Sequence, residues 1–145
     1  MKPDQLHILY TSHLRGDLHL LPRLYTTLQR IKAETDERAL LLDLGDACDG
    51  SAWHCDVTEG RSTLVVLDGM GYHAVNVSGY LDAESRDKLD GVITCGMVDD
   101  DHTWRYHIPP VTDEGIVIST QPLEQNHLRL NICLTPNHET GLVGH

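Results

Sequence analysis

The chain has 145 residues, of which 40% are hydrophobic and 23% are charged, a composition that fits one globular domain. Acidic residues outnumber basic ones by 22 to 11, and the net charge of -11 argues against binding to nucleic acids or anionic membrane surfaces. No apolar run approaches the roughly 18 residues of a membrane span, and residues 1–10 lack the apolar core of a signal peptide. We therefore expect a cytoplasmic protein if the chain is full length.

The N-terminal segment predicts a strand, a helix and a second strand. Residues 6–10 (LHILY) form a short apolar run that is typical of a buried strand. Apolar residues then recur at helical spacing over residues 20–31, with Pro22 placed where the first turn of a helix accepts proline. Residues 39–42 (ALLL) predict a second buried strand.

The same alternation continues through the middle of the chain. Residues 61–70 predict a second helix, which Gly69 and Gly71 end, and residues 73–77 (HAVNV) predict a third strand. Asp82 is a suitable N-cap for a short third helix that runs to residue 89. The order predicts an α/β fold with a mostly parallel sheet, flanking helices and right-handed crossovers.

Three loops follow the first three strands, at residues 11–17, 43–51 and 78–80. In parallel sheets the loops at the carboxyl ends of strands form the ligand crevice. We therefore expect these three loops to converge at one edge of the sheet.

The pattern changes after Asp90. Residues 91–95 predict a fourth strand, and Asp99, Asp100 and Asp101 an exposed turn. Three further segments, residues 103–108, 115–120 and 128–134, have the alternation and spacing of hairpin strands and predict an antiparallel C-terminal extension.

We expect residues 1–134 to form a single domain and residues 135–145, which show no periodicity, to form a flexible tail. The four cysteines, at positions 48, 55, 95 and 133, include no CxxC pair. Four free thiols are the expectation for a reducing compartment, with two disulfides as the alternative.

Three segments carry a family resemblance. They are residues 11–16 (TSHLRG), residues 41–51 (LLDLGDACDGS) and residues 71–81 (GYHAVNVSGYL). In order and context they are similar to the N-terminal half of calcineurin-like metallophosphoesterases, especially the 5′-nucleotidase branch. The resemblance covers rather more than half of the chain and implies a truncated metallophosphatase-like fold.

In that family these segments hold two metal ions, which clamp a phosphate and activate a bridging water. At the matching positions this chain has His13 and Arg15 in the first segment, Asp46 in the second, and Gly79 and Tyr80 in the third. Only Asp46 is the family's own residue, the bridging carboxylate. His13 is a conceivable metal ligand, whereas a guanidinium, a glycine and a tyrosine are not suitable ligands here.

The resemblance therefore implies a pseudoenzyme without catalytic residues, which acts as a binding or interaction module. The family's later G-H-x-H ligands are also missing, because His127, His138 and His145 do not form that pattern. Arg15, Asp49, Gly79 and Tyr80 would then line a ligand crevice, with Asp46 and His13 as vestigial metal ligands. No cofactor is expected.

Two alternatives involve bound ions. A working phosphoesterase would need a rearranged site, in which His54, Cys55, Cys48 and Asp49 help His13 and Asp46 to hold a single divalent cation such as Mn, Zn or Fe. Alternatively, the fixed positive charge of Arg15 would bind a small anion without catalysis. The competing interpretation of Arg15 is that it pairs with Asp17, Asp43 or Asp46 and simply fills the site.

The resemblance covers only the N-terminal half of the family's fold, and this bears on whether the chain forms a dimer. A parallel sheet requires cover on both faces, and the predicted helices cover only one of them fully. Either the C-terminal hairpins or a second copy of the chain must cover the other face, which makes a homodimer a reasonable hypothesis.

Overall fold

The computed structural model describes residues 7–35, 39–106, 116–122 and 130–135. Strands and helices alternate along most of this part of the chain. In chain order the elements are β1 (His7–Thr11), α1 (Leu21–Glu34), β2 (Ala39–Asp43), α2 (Trp53–Val57), α3 (Arg61–Gly69), β3 (Ala74–Asn76), α4 (Ala83–Leu89), β4 (Gly96–Val98), β5 (Trp104–Tyr106), β6 (Ile116–Ser119) and β7 (Leu130–Cys133).

The elements form a four-stranded sheet and a three-stranded sheet. The first has the order β1-β2-β3-β4 with every neighbouring pair parallel, as the alternation of strands and helices predicts. The second has the order β5-β6-β7. The general α/β class and the mostly parallel sheet are therefore confirmed.

The central strand β2 is buried on both faces, which explains its continuous apolar sequence. Leu41 packs with the helices, in a core cluster that includes Leu28 of α1 and Leu64 of α3. Its neighbours Leu40 and Leu42 belong to a second cluster on the opposite face. Successive side chains of a strand point to opposite faces, so this one run connects two cores.

The second sheet covers the face of the parallel sheet that the helices leave open. Ile116 and Ile118 of β6 and Leu134 pack in the same cluster as Leu40 and Leu42. The C-terminal strands thus cover this face of the parallel sheet. A second copy of the chain was the other structure expected to cover it.

The prediction of an antiparallel extension is wrong for one of its two strand pairs. β5 and β6 are antiparallel, but β6 and β7 are parallel, with Ile116 opposite Leu130. The connection between them, residues 120–129, is longer than a hairpin turn requires, so the chain can return to the same end of the sheet. The second sheet is therefore mixed.

The fourth strand also differs from its predicted position at residues 91–95. It begins at Gly96, because the chain continues to turn after α4, with Val92 N and Ile93 N donating to Leu89 O. The Asp68 carboxylate then accepts hydrogen bonds from Thr94 N and Cys95 N. Apolar composition alone could not reveal this anchoring by a carboxylate from α3.

Local signals predicted the helix boundaries well. Pro22 lies in the first turn of α1, and the Asp82 carboxylate caps α4 by accepting from Ser85 N at 2.8 Å. The short helix α2 was not predicted, since its five residues are too few for a periodic pattern.

None of the helices in the described ranges has the length and apolar content needed to span a bilayer. The predicted tail falls outside the described residues from position 136 onward, as do parts of the predicted strands at residues 103–108 and 128–134.

Candidate functional site

The loops that follow β1, β2 and β3 meet at the carboxyl edge of the parallel sheet, as expected from its topology. The first two are held together by three backbone hydrogen bonds. His13 N donates to Gly45 O at 3.0 Å, and Arg15 N and Gly16 N donate to Asp46 O and Ala47 O, each at 2.8 Å. These bonds continue the pairing of β1 with β2 beyond the strands and define the floor of the candidate crevice.

Backbone strain is concentrated in these two loops. His13, Arg15 and Asp46 have left-handed conformations, with φ values of 59°, 53° and 57°. Such conformations are uncommon for residues other than glycine, and Arg15 lacks the short polar side chain that makes them tolerable in Asp and Asn. Strained residues of this kind cluster at ligand sites, which makes this edge of the sheet the candidate functional site.

His13 and Asp46 form the central contact of the crevice. His13 Nδ1 lies 3.0 Å from Asp46 Oδ2, and both side chains are partly exposed. The Asp46 carboxylate is therefore engaged by the imidazole of His13.

Arg15 is exposed and does not fill the site by pairing with an acid. Within the described ranges, no carboxylate lies within 4.0 Å of its guanidinium, and Asp46 contacts His13 instead. The partly buried Asp49 is nearby. Its pKa lies below the ordinary value mainly because Ser51 N donates to its carboxylate, and Arg15 contributes to the same shift.

Gly79 and Tyr80 occupy the third loop and differ in character. Gly79 is exposed and has a φ of 89°, a conformation that suits glycine. Tyr80 packs against the helix-side core, and its hydroxyl donates to Asn76 O at 3.2 Å. Burial raises the pKa of Tyr80, and the nearby Asp43 and Asp46 raise it further. Tyr80 thus contributes to the packing of the helix-side core.

A buried network under the crevice was missed by the sequence analysis. The Asp43 carboxylate accepts from Thr11 Oγ1 at 2.7 Å and from Gly45 N at 3.0 Å, and Thr11 Oγ1 lies 2.9 Å from Tyr72 Oη. Burial raises the pKa of Asp43 to about 7. The only sequence signal was the position of this aspartate directly after an apolar run.

Two serine hydroxyls at the same edge lack partners. The Oγ atoms of Ser12, just after β1, and Ser78, just after β3, are buried without a hydrogen-bond partner among the described residues. A buried polar atom without a partner costs free energy.

The additional metal ligands that a rearranged site would need, His54, Cys55 and Cys48, already have other partners. His54 Nε2 lies 2.7 Å from Gly16 O, and His54 Nδ1 lies 2.7 Å from Ser62 Oγ. Cys55 forms a disulfide with Cys48, which corrects the expectation of four free thiols. A sequence separation of seven residues does not indicate a disulfide. The pairing becomes possible because the loop folds back and brings the two Cα atoms to within 5.6 Å of each other.

The residues present do not fit a two-metal centre. Arg15 is a donor without lone pairs, Gly79 has no side chain, and Asp46 contacts His13. In the described part of the chain, His, Cys, Asp and Glu side chains do not gather in any group of three or more that could hold a metal ion.

Comparison of the chain with protein-family models, with curated proteins and with solved structures finds no match.

Proposed function

We propose that this protein is a noncatalytic domain of the metallophosphoesterase type, which acts as a binding or interaction module. The observation that carries the proposal is the 3.0 Å contact between His13 Nδ1 and Asp46 Oδ2. In a working enzyme of that type, the carboxylate at position 46 would bridge two metal ions. Here it lies against an imidazole, beside a guanidinium that cannot coordinate a metal.

The alternative of an active phosphoesterase with a rearranged metal site requires His54 and Cys55 as additional ligands. Both nitrogens of His54 already have polar partners, and Cys55 Sγ is bonded to Cys48. A thiolate and a free imidazole nitrogen are what a metal binds, so these contacts would have to break first. This cost favours the noncatalytic proposal.

Metal content and turnover test this choice. We expect purified protein to contain well under one equivalent of Mn, Zn or Fe. We also expect it to hydrolyse a generic aryl phosphate in added Mn²⁺ no faster than the Asp46→Asn variant. Asparagine tolerates the left-handed backbone at this position, so the substitution tests the charge and not the fold.

Asp17→Asn is a matched control, because Asp17 is an exposed carboxylate on the first crevice loop. Stoichiometric metal, together with turnover that Asp46→Asn abolishes and Asp17→Asn preserves, would overturn the proposal.

A second candidate function, binding of a small anion by Arg15, is favoured by the exposure of this side chain. A guanidinium binds phosphate or carboxylate through two parallel hydrogen bonds. The Asp46 carboxylate, on the neighbouring loop, contacts His13 and not Arg15. The partnerless hydroxyls of Ser12 and Ser78 offer two more donors at the same edge.

Phosphate-dependent thermal stabilisation tests anion binding. At about ten times the dissociation constant, mass action predicts a rise in Tm of roughly 5 °C. We expect Arg15→Asn to abolish the rise and Arg30→Gln, which removes an exposed charge from α1, to preserve it. Equal stabilisation of both variants would exclude Arg15 as the anion ligand.

The cytoplasmic location and the homodimer stay predictions. Disulfides are rare in the reducing cytosol, so the bond between Cys48 and Cys55 weighs toward an oxidising compartment. The second sheet supplies within one chain the cover that motivated the homodimer.

A further inference from the structure

An exposed tryptophan lies beside the crevice. Trp53 of α2 is 74% exposed, and Val57, one helical turn further on, is 71% exposed. Tryptophan is buried on average in proteins and is enriched where a partner or ligand covers its flat apolar face. Neither the fold nor the function proposed above accounts for this side chain.

His54 connects Trp53 to the loop that carries Arg15. His54 Nε2 donates to Gly16 O at 2.7 Å, and the centroid of the His54 ring lies 6.0 Å from that of the Trp53 indole in an edge-on arrangement. Gly16 itself lies against α2 so closely that a Cβ there would be 2.6 Å from Cys55 Sγ. Arg15 directly precedes Gly16, so the segments that carry Arg15 and Trp53 lie side by side, and we call these two segments the rim.

The disulfide and the backbone bonds hold this rim in one arrangement. Cys48 of the second loop is bonded to Cys55 of α2, and Gly16 N donates to Ala47 O at 2.8 Å. The loop with Arg15 and the helix with Trp53 are thereby tied to the same segment. A rigid pair of contact groups binds with less loss of conformational entropy than two mobile ones.

We propose that the crevice binds an aromatic anion, whose phosphate or carboxylate is held by Arg15 and whose ring stacks on Trp53. This proposal rests on the anion-binding function proposed above and names its ligand class. The chain's net charge of -11 and the nearby Asp49 weaken the attraction of any anion to Arg15. An aromatic group adds affinity that does not depend on charge.

The test compares phenyl phosphate with methyl phosphate, which carries the same anion without a ring. We expect phenyl phosphate to bind about tenfold more tightly, which is the scale of one aromatic stacking contact. Binding is measured by calorimetry and by quenching of tryptophan fluorescence, with circular dichroism to show that each variant is folded.

Three variants assign the contacts. Trp53→Ala should bring phenyl phosphate down to the affinity of methyl phosphate, whereas Val57→Ala, which truncates the other exposed apolar side chain of α2, should leave the tenfold difference intact. Arg15→Asn should weaken both ligands at least tenfold.

The failures of the two proposals are distinguishable. If neither phosphate binds, the anion-binding function itself is wrong. If both bind equally and Trp53→Ala changes neither, anion binding stands and the aromatic ligand class is overturned. Phenyl phosphate that binds Arg15→Asn as well as it binds the wild type would also overturn the proposal, since the ring alone would then account for binding.

Discussion

Asp43 is buried at the end of β2, and burial raises its pKa from an ordinary 3.8 to about 7 because the charged form loses its hydration. The hydrogen bond from Thr11 and the backbone bond from Gly45 lower it in part, while the neighbouring charge of Asp46 raises it. Since the folded-state pKa lies above the unfolded value, protonated Asp43 stabilises the protein fully below about pH 4. That contribution is lost as the pH rises through about 7.

We therefore expect Asp43→Asn to reduce the pH dependence of stability. Relative to this variant, the wild type should lose roughly 2 to 4 kcal/mol of unfolding free energy between pH 4 and pH 8. Asparagine keeps an acceptor for Gly45 N and can donate to Thr11 Oγ1, which in turn can donate to Tyr72 Oη.

Urea denaturation of both proteins at several pH values measures this difference. His73 acts in the opposite direction over part of the range, because burial lowers its pKa, but it is common to both proteins and cancels. A constant difference between the two curves would show that Asp43 does not titrate in this window.

At the scale of elements, helices α1 and α4 follow from local chemistry. A proline in the first turn and an aspartate cap act within a few residues, so the sequence alone predicts them. Helix α2 depends instead on a distant anchor, the disulfide between Cys55 and Cys48 of the preceding loop. The local sequence pattern of α2 gives no indication of this disulfide.

Thiol titration of the unreduced, denatured protein should find two thiols, Cys95 and Cys133, and four after reduction. Replacing Cys48 and Cys55 together by serine should lower the unfolding free energy by about 2 to 3 kcal/mol, as expected for a short closed loop. Dithiothreitol should produce a similar loss in the wild type and none in the double variant. Four thiols before reduction would contradict the disulfide.

At the scale of the whole molecule, stability depends on two cores that share the parallel sheet. Leu40 and Leu42 face the second sheet, while Leu41 between them faces the helices. A substitution that destabilises the core between the two sheets should therefore also destabilise the packing of the helices, because β2 contributes to both cores.

Ile118→Ala tests this coupling, since Ile118 is fully buried between the sheets. We expect a loss of about 2 to 5 kcal/mol and a single unfolding transition, in which helical circular dichroism and the fluorescence of Trp104 change together. Val65→Ala, which truncates an exposed side chain of α3, should cost well under 1 kcal/mol. Two separate transitions in Ile118→Ala would show that the sheets unfold independently.

The sequence by itself determined the alternation of strands and helices apart from α2, the parallel sheet and the convergence of three loops at one edge. These follow from periodicity, capping and chain connectivity, which act over short distances or through topology. Only the tertiary structure decided that Asp46 contacts His13 and not Arg15, that Cys48 bonds to Cys55, and that the second sheet is mixed. Each of these depends on how loops fold back on one another, and the spacing of residues along the chain does not encode that path. The exposed pair of Arg15 and Trp53 became visible for the same reason, because Gly16 and His54 bring their two segments together.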